Sequence, residues 1–206
     1  MLEFTEYSKI FISLFAILDP IGVIPIIIAF TIGMERQKRA RVGRMASLSV
    51  CGILLVALLL GEVLLDFFGI SINSFRVAGG ILLLLMSLTM LTSPKPYPVD
   101  ITDGEATSSL AIVPLSTPLL AGPGAISTVI LDAHKGTGML HYVIMTLVIV
   151  LLSLSVWLTF LAAPQVEKRM GLTGINIFTR LMGLVLASIA VEFIAGGMKG
   201  LFPALG

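Results

Sequence analysis

Asp19-Pro20-Ile21-Gly22-Val23-Ile24-Pro25 sits inside an apolar run from about Ile10 to Ile32. Proline has no backbone N–H, so Pro20 leaves the carbonyl of Ala16 without its helical partner, and Pro25 leaves that of Ile21. Gly22 between them lowers the cost of leaving helical geometry. The run is long enough to cross a bilayer, which takes roughly 20 apolar residues. In hydrocarbon a helix broken at this depth is tolerated only within a bundle or beside a water-filled cavity, because each unpaired backbone group is costly there. The heptapeptide therefore predicts a broken spanning helix.

The rest of the composition supplies the surroundings. The chain has 206 residues, of which 57% are hydrophobic and only 12% charged, with a mean hydropathy of +1.07. Soluble domains carry roughly a quarter charged residues, so an ordinary soluble domain, a coiled coil and a disordered chain are excluded. A net charge of +1 leaves no broad basic face for nucleic acid. Six apolar segments fit the length: about Ile10–Ile32, Val42–Leu65, Ser74–Leu91, Leu110–Leu131, Leu140–Ala163 and Phe178–Leu201. Period-2 alternation is absent, which argues against a barrel. Cys51, the single cysteine, reads as a small apolar residue with no disulfide partner. The first nine residues hold Glu3, Glu6 and Lys9 rather than a positive leader, so the first segment is expected to be retained.

The polar, proline-rich stretch Thr92–Ser109 reads as a linker between two halves. A shift of 103 residues, half the length, places Ser13 on Ser116 and Pro20 on Pro123. It also places Ile72-Asn73-Ser74-Phe75 on Ile175-Asn176-Ile177-Phe178, and Gly80 on Gly183, without a gap. The fourth segment carries its own break in Pro114-Leu115-Ser116-Thr117-Pro118-Leu119-Leu120-Ala121-Gly122-Pro123-Gly124-Ala125. Three spans per half mean that the second half enters from the opposite face. The expected fold is an all-α polytopic membrane protein of six transmembrane helices, built as two inverted three-helix repeats with broken helices 1 and 4. It forms a single membrane domain over 1–206: repeat 1 over about 1–92, a linker over about 93–109 and repeat 2 over about 110–206. Two breaks in corresponding places point to a transporter's substrate site.

These same residues carry a resemblance. Asp19–Pro25, Val113–Ser127, and Phe68-Gly69-Ile70-Ser71 leading to Phe75-Arg76-Val77-Ala78-Gly79-Gly80 resemble the signature motifs of the MarC family. The resemblance implies a six-span bacterial inner-membrane protein, similar to members that transport small neutral amino acids such as alanine and glycine. It also implies that Asn is common where this chain has Asp19.

The residue chemistry agrees with a zwitterionic ligand. A half-helix N-terminus exposes N–H groups that attract a carboxylate, and a half-helix C-terminus exposes carbonyls that suit an ammonium. The candidate substrate-binding set is Asp19, Pro20, Gly22, Pro25, Ser116, Thr117, Pro118, Gly122, Pro123, Gly124 and Ser127. Asp19 and Glu192, which lies deep in the sixth span, are candidates for a coupling proton or sodium ion. Arg76 and Arg180 are expected to snorkel, and Asn73 and Asn176 to cap the spans they precede. Asp132, His134 and His141 fall in a short outer loop, where no metal site is expected. No nucleophile motif surrounds Ser127, so an intramembrane hydrolase paired with His141 is disfavoured. No catalytic residue and no cofactor are expected; the partners are a neutral amino acid and the lipid bilayer. The alternatives are an exporter of, or a channel for, another small solute.

Orientation follows from the cations. Arg36, Lys38, Arg39, Arg41, Arg44, Lys95, Lys168, Arg169 and Arg180 fall on one side, nine against the four of Lys9, Arg76, Lys135 and Lys199. The first set is expected in the cytoplasm, with both termini periplasmic; Arg36–Arg44 also suits anionic lipid. A reporter fused at Gly206 should be active only if it is of the extracytoplasmic kind; activity of a cytoplasmic-only reporter would reverse the orientation.

Overall fold

The computed structural model describes residues 3–31, 34–92, 121–136 and 138–202. The expected linker and Ser116, Thr117 and Pro118 lie outside the described residues. The described chain is helical throughout: α1 (Phe4–Leu18), α2 (Ile24–Thr31), α3 (Arg36–Phe67), α4 (Ile72–Thr92) and α5 (Pro123–His134), followed by a helical run Met139–Leu201. That run turns at Gly171, where φ is +63°, and is treated as α6 (Met139–Gly171) and α7 (Thr173–Leu201).

Four of these helices, α3, α4, α6 and α7, are long and apolar enough to cross a membrane. They match the second, third, fifth and sixth expected segments. The first segment is two helices, α1 and α2, interrupted over Asp19–Val23. Of the fourth segment, α5 is the described part.

Several expected boundaries move. The basic stretch Arg36–Arg44 forms the first turns of α3 rather than a loop. Lys168, Arg169 and Arg180 are likewise helical, because the expected fifth loop shrinks to the turn at Gly171. Asn73 and Asn176 lie inside α4 and α7 and do not cap them. The cap of α4 is Ser71, whose hydroxyl oxygen accepts the N–H of Ser74 at 3.1 Å.

Close contacts give the arrangement. α3 and α6 run antiparallel: Gly43 faces Phe160, and the Ser47 hydroxyl donates to the Ser153 carbonyl. α4 and α7 also run antiparallel, with Asn73 against Gly200, Gly80 against Ala190 and Ile194, and Met90 against Gly183. The starts of α1, α4 and α6 thus share one end of the bundle, here the upper end, with the ends of α3, α5 and α7. α1 descends and α5 ascends beside it, with Tyr7 touching His141 at the top and Ile17 near Gly124 at the bottom.

Glycine makes the α4–α7 contact possible. In a bilayer apolar burial does not drive helices together, so close backbone approach and packing must do it. A Cβ on Gly197 would lie 2.6 Å from Val77 Cγ2 and 2.8 Å from the Asn73 carbonyl oxygen. Leu14, Leu54, Leu83, Met145, Ile149 and Leu186 are fully buried at the centre. Outward, Val56, Leu59, Val63, Leu147, Leu184 and Val191 are exposed, an apolar exterior that fits hydrocarbon.

Gly197→Val should force α4 and α7 apart and cost about 1–3 kcal/mol, read as a lowered melting temperature in detergent. Gly52→Ala on α3, where a Cβ meets nothing within 4 Å, should leave the melt unchanged or raise it.

Candidate functional site

The first break is a helix stop followed at once by a helix start. The Asp19 N–H donates to the Phe15 carbonyl at 2.9 Å and closes α1. Asp19 itself is left-handed, with φ +36° and ψ +60°, a region that Asp and Asn enter more readily than other side chains. Its Oδ1 then accepts the Gly22 N–H at 3.1 Å, and its carbonyl accepts the Val23 N–H at 3.3 Å. Asp19 is therefore the cap of the turn that leads into α2, with Pro20 in the first position, where its missing N–H costs nothing. Pro25 belongs to the first turn of α2 rather than to the break, and the Ile21 carbonyl it was expected to free accepts the Ile24 N–H at 3.1 Å.

α5 starts in the same way. Gly122 is extended, with φ −66° and ψ 171°, and Pro123 opens α5 at its first position. Gly124 is thus inside the helix. Asp19-Pro20 and Gly122-Pro123 are the same cap–proline pair, 103 residues apart. Among the described residues no side chain caps α5; its first N–H groups, on Gly124 and Ala125, point along the axis toward Ala121 and Gly122. The end of α1 presents the Ala16 carbonyl, which Pro20 cannot serve.

The structure brings part of the expected set together. Asp19, Pro20, Gly22, Gly122, Gly124 and Ser127 are all buried. A Cβ on Gly124 would strike Leu83 and come within 3.7 Å of Ile17 Cγ2, so the last turn of α1 and the first of α5 touch. A Cβ on Gly22 would collide with the Asp19 carboxylate and lie 3.0 Å from Thr179 Oγ1. The hydroxyls of Ser127 and Thr128 both donate to the Gly124 carbonyl, at 3.0 and 2.8 Å. Pro123 is exposed, and Glu192 lies on the exposed face of α7, apart from buried Asp19.

Three features escaped the sequence reading. Thr179 of α7 reaches the break; its own hydroxyl donates to the Ile175 carbonyl at 3.0 Å. Arg39 holds the end of α2 through the Thr31 hydroxyl and carbonyl, at 3.2 and 3.5 Å. His141 joins Tyr7 and Asp132 instead of Ser127. Asp-Pro as a cap followed by a first-position proline was the readable signal for the turn; nothing local marks Thr179. A groove of about 620 Å3 between α3 and α5, lined by Gly52, Ile53, Val56, Leu60 and Ile130 among others, bears no charged group and suits no zwitterion.

Residues 4–202 match the MarC family integral membrane proteins. The chain belongs to the MarC family. It is 39% identical to the UPF0056 membrane protein YhcE of Escherichia coli over 98% of this chain and 96% of that protein. It is 40% identical to a UPF0056 membrane protein of Methanocaldococcus jannaschii over 92% and 94% of the two chains. For the UPF0056 membrane protein YvbG of Bacillus subtilis the identity is 34%, over 98% of each. No solved structure matches. This MarC chain is thus an integral membrane protein with a buried break between α1 and α2.

Asp19→Asn keeps the accepting oxygen and the left-handed preference, and should hold stability within about 0.5 kcal/mol. Asp19→Ala removes the cap and should cost about 0.5–2 kcal/mol, as should Gly22→Ala by displacing the carboxylate. Thermal melts in detergent would measure all three; equal losses for Asn and Ala would show that the charge, not the cap, holds the turn.

Proposed function

We propose that this MarC protein is an ion-coupled secondary transporter of small neutral amino acids of the alanine or glycine type. The observation that carries the reading is the meeting of two opposite helix ends, the closing turn of α1 and the opening turn of α5, at Ile17 and Gly124. A carboxylate suits the N–H groups of Gly124 and Ala125, and an ammonium suits the carbonyl end of α1 and the Asp19 carboxylate. A ligand with a short side chain suits a place this closely packed, with Leu83 over Gly124 and the Asp19 carboxylate over Gly22.

The same reading includes the inverted six-span architecture. Its support is the repeated cap–proline pair and the antiparallel pairing of α3 with α6 and of α4 with α7, which would be equivalent helices of the two repeats. Ser116, Thr117 and Pro118 belong to the same proposed substrate-binding set. The protein would sit in the bacterial inner membrane with both termini periplasmic, making the upper end the outer one. A coupling proton or sodium ion would bind at Asp19; exposed Glu192 is the weaker candidate.

Purified protein on a solid-supported membrane should give currents with alanine and glycine and none with lysine or glutamate. Counterflow of intact substrate in liposomes separates a transporter from an enzyme, and saturation separates it from a channel. Asp19→Asn, with its cap kept, should exchange substrate at close to the wild-type rate and lose accumulation against a gradient. Absence of counterflow for every small zwitterion would overturn the proposal.

A further inference from the structure

Phe75-Arg76-Val77-Ala78-Gly79-Gly80, in the first turns of α4, carries an arginine that neither break uses. So near the end of a membrane helix, an arginine is expected to snorkel along the outside to the headgroups. Arg76 turns inward instead. Residues three and four positions apart share a helix face, and two such neighbours fix its direction. Gly79 faces the Ser127 hydroxyl of α5, and Gly80 faces Ala190 and Ile194 of α7. Arg76 stands one turn above both, in the wedge between α5 and α7. Its guanidinium lies along α7, with Nη1 3.3 Å and Cζ 3.7 Å from a Cβ placed on Gly196. The side chain is partly buried, and the Asp132 carboxylate of α5 is within its electrostatic reach.

The surrounding charges leave this cation without a partner. Asp132 is engaged elsewhere, because Lys135 Nζ holds its Oδ1 at 2.6 Å. From α1, Glu6 is paired with Lys9 at 2.7 Å, and from α3, Glu62 with His134 at 2.9 Å. From α7, Glu192 lies on the exposed face. Among the described residues the Arg76 guanidinium makes no hydrogen bond and no ion pair. Its five N–H donors, set in a flat fork, remain for an anion.

The wedge leads to the start of α5. One turn below Gly79 and Gly80, Leu83 covers Gly124. Arg76 is seven residues above Leu83, about 10 Å along the helix. It therefore stands on the upper side of the N–H groups of Gly124 and Ala125. The 103-residue shift places Arg76 on Thr179, the α7 residue that reaches the first break beside Gly22. We propose that Arg76 binds the carboxylate of the amino acid at an upper subsite, one step outward of the start of α5. This rests on the transport reading and adds to it a second anion-binding place on the substrate's route. A planar carboxylate takes two parallel N–H bonds from the fork. Asp132 selects the kind of anion. A lipid phosphate in the wedge would meet that carboxylate uncompensated, whereas a zwitterion brings its own ammonium to it.

The test is alanine counterflow by full-length protein in liposomes, read as KM and maximal rate, with the melting temperature in detergent as control. Arg76→Gln should raise KM about 10- to 100-fold, the worth of a hydrogen bond to a charged group, and change the maximal rate less. Arg76→Lys keeps the charge without the fork and should fall between; it carries the comparison alone if the glutamine variant does not fold. A lower maximal rate and melting temperature at unchanged KM would make Arg76 a packing residue and overturn the proposal. Solid-state magnetic resonance in nanodiscs, with nitrogen-labelled arginine and carboxyl-labelled alanine, should show a carbon–nitrogen contact that Arg76→Gln abolishes. No such contact, or one with lipid phosphorus in its place, also overturns it. Wild-type protein without counterflow of any small zwitterion would sink the transport reading and this subsite together. Wild-type counterflow with an unshifted KM in both variants would sink the subsite alone.

Discussion

Every backbone polar group at membrane depth needs a partner, and two prolines in mid-span each remove one. The rest of the structure can be read as the response. Asp19 supplies a left-handed stop, a side-chain acceptor and a carbonyl acceptor within one residue, and so restores pairing within four positions of Pro20. Gly122 provides only an extended backbone, and among the described residues no side chain caps α5. The turn into α2 and the start of α5 share repeat position and proline. Among the described residues, the start of α5 and the end of α1 bring N–H groups and a carbonyl without a hydrogen-bond partner to one buried place.

Packing holds these ends in register. Hydrocarbon on the outside offers no burial gain for assembly, so contact has to come from shape. Glycines at 80, 183, 197 and 200 bring α4 and α7 to backbone distance, and Leu83 of α4 then fills the space over Gly124. Gly124 thus has a packing duty as well as any duty toward a ligand. The serine and threonine hydroxyls of α5 turn inward to the Gly124 carbonyl, which steadies the opening turn while leaving the N–H groups of that turn aimed along the axis.

The broken first span, the helical class and the four membrane-length helices were legible because proline and apolar length act locally. The first break was placed within a few residues of where it lies; at the second, only the start of α5 falls within the described residues. What the reading misjudged depended on context. Asp19 was read as a charge, and its capping of the turn, with the carboxylate curled onto Gly22, went unseen. Asn73 looked like a cap and packs on Gly200, while Ser71 takes the cap. The loops before α3 and between α6 and α7 looked polar and are helical, since charged residues at helix ends extend past the apolar run at little cost. Glu192 looked buried by position along the chain; its helical phase, which depends on which face α7 turns to α4, puts it outside. Thr179 and the Tyr7–His141 pair join residues distant in sequence, and no local pattern announces them.

Gly171 joins α6 to α7 with no loop between them. A junction without slack transmits tilt instead of absorbing it. Phe160 anchors α6 on α3 above that turn, and Thr179 lies about two helical turns beyond it, against Gly22. A rocking of α6 on α3 is therefore geared to the mid-membrane break, with the glycine as pivot and the first turns of α7 as the lever arm.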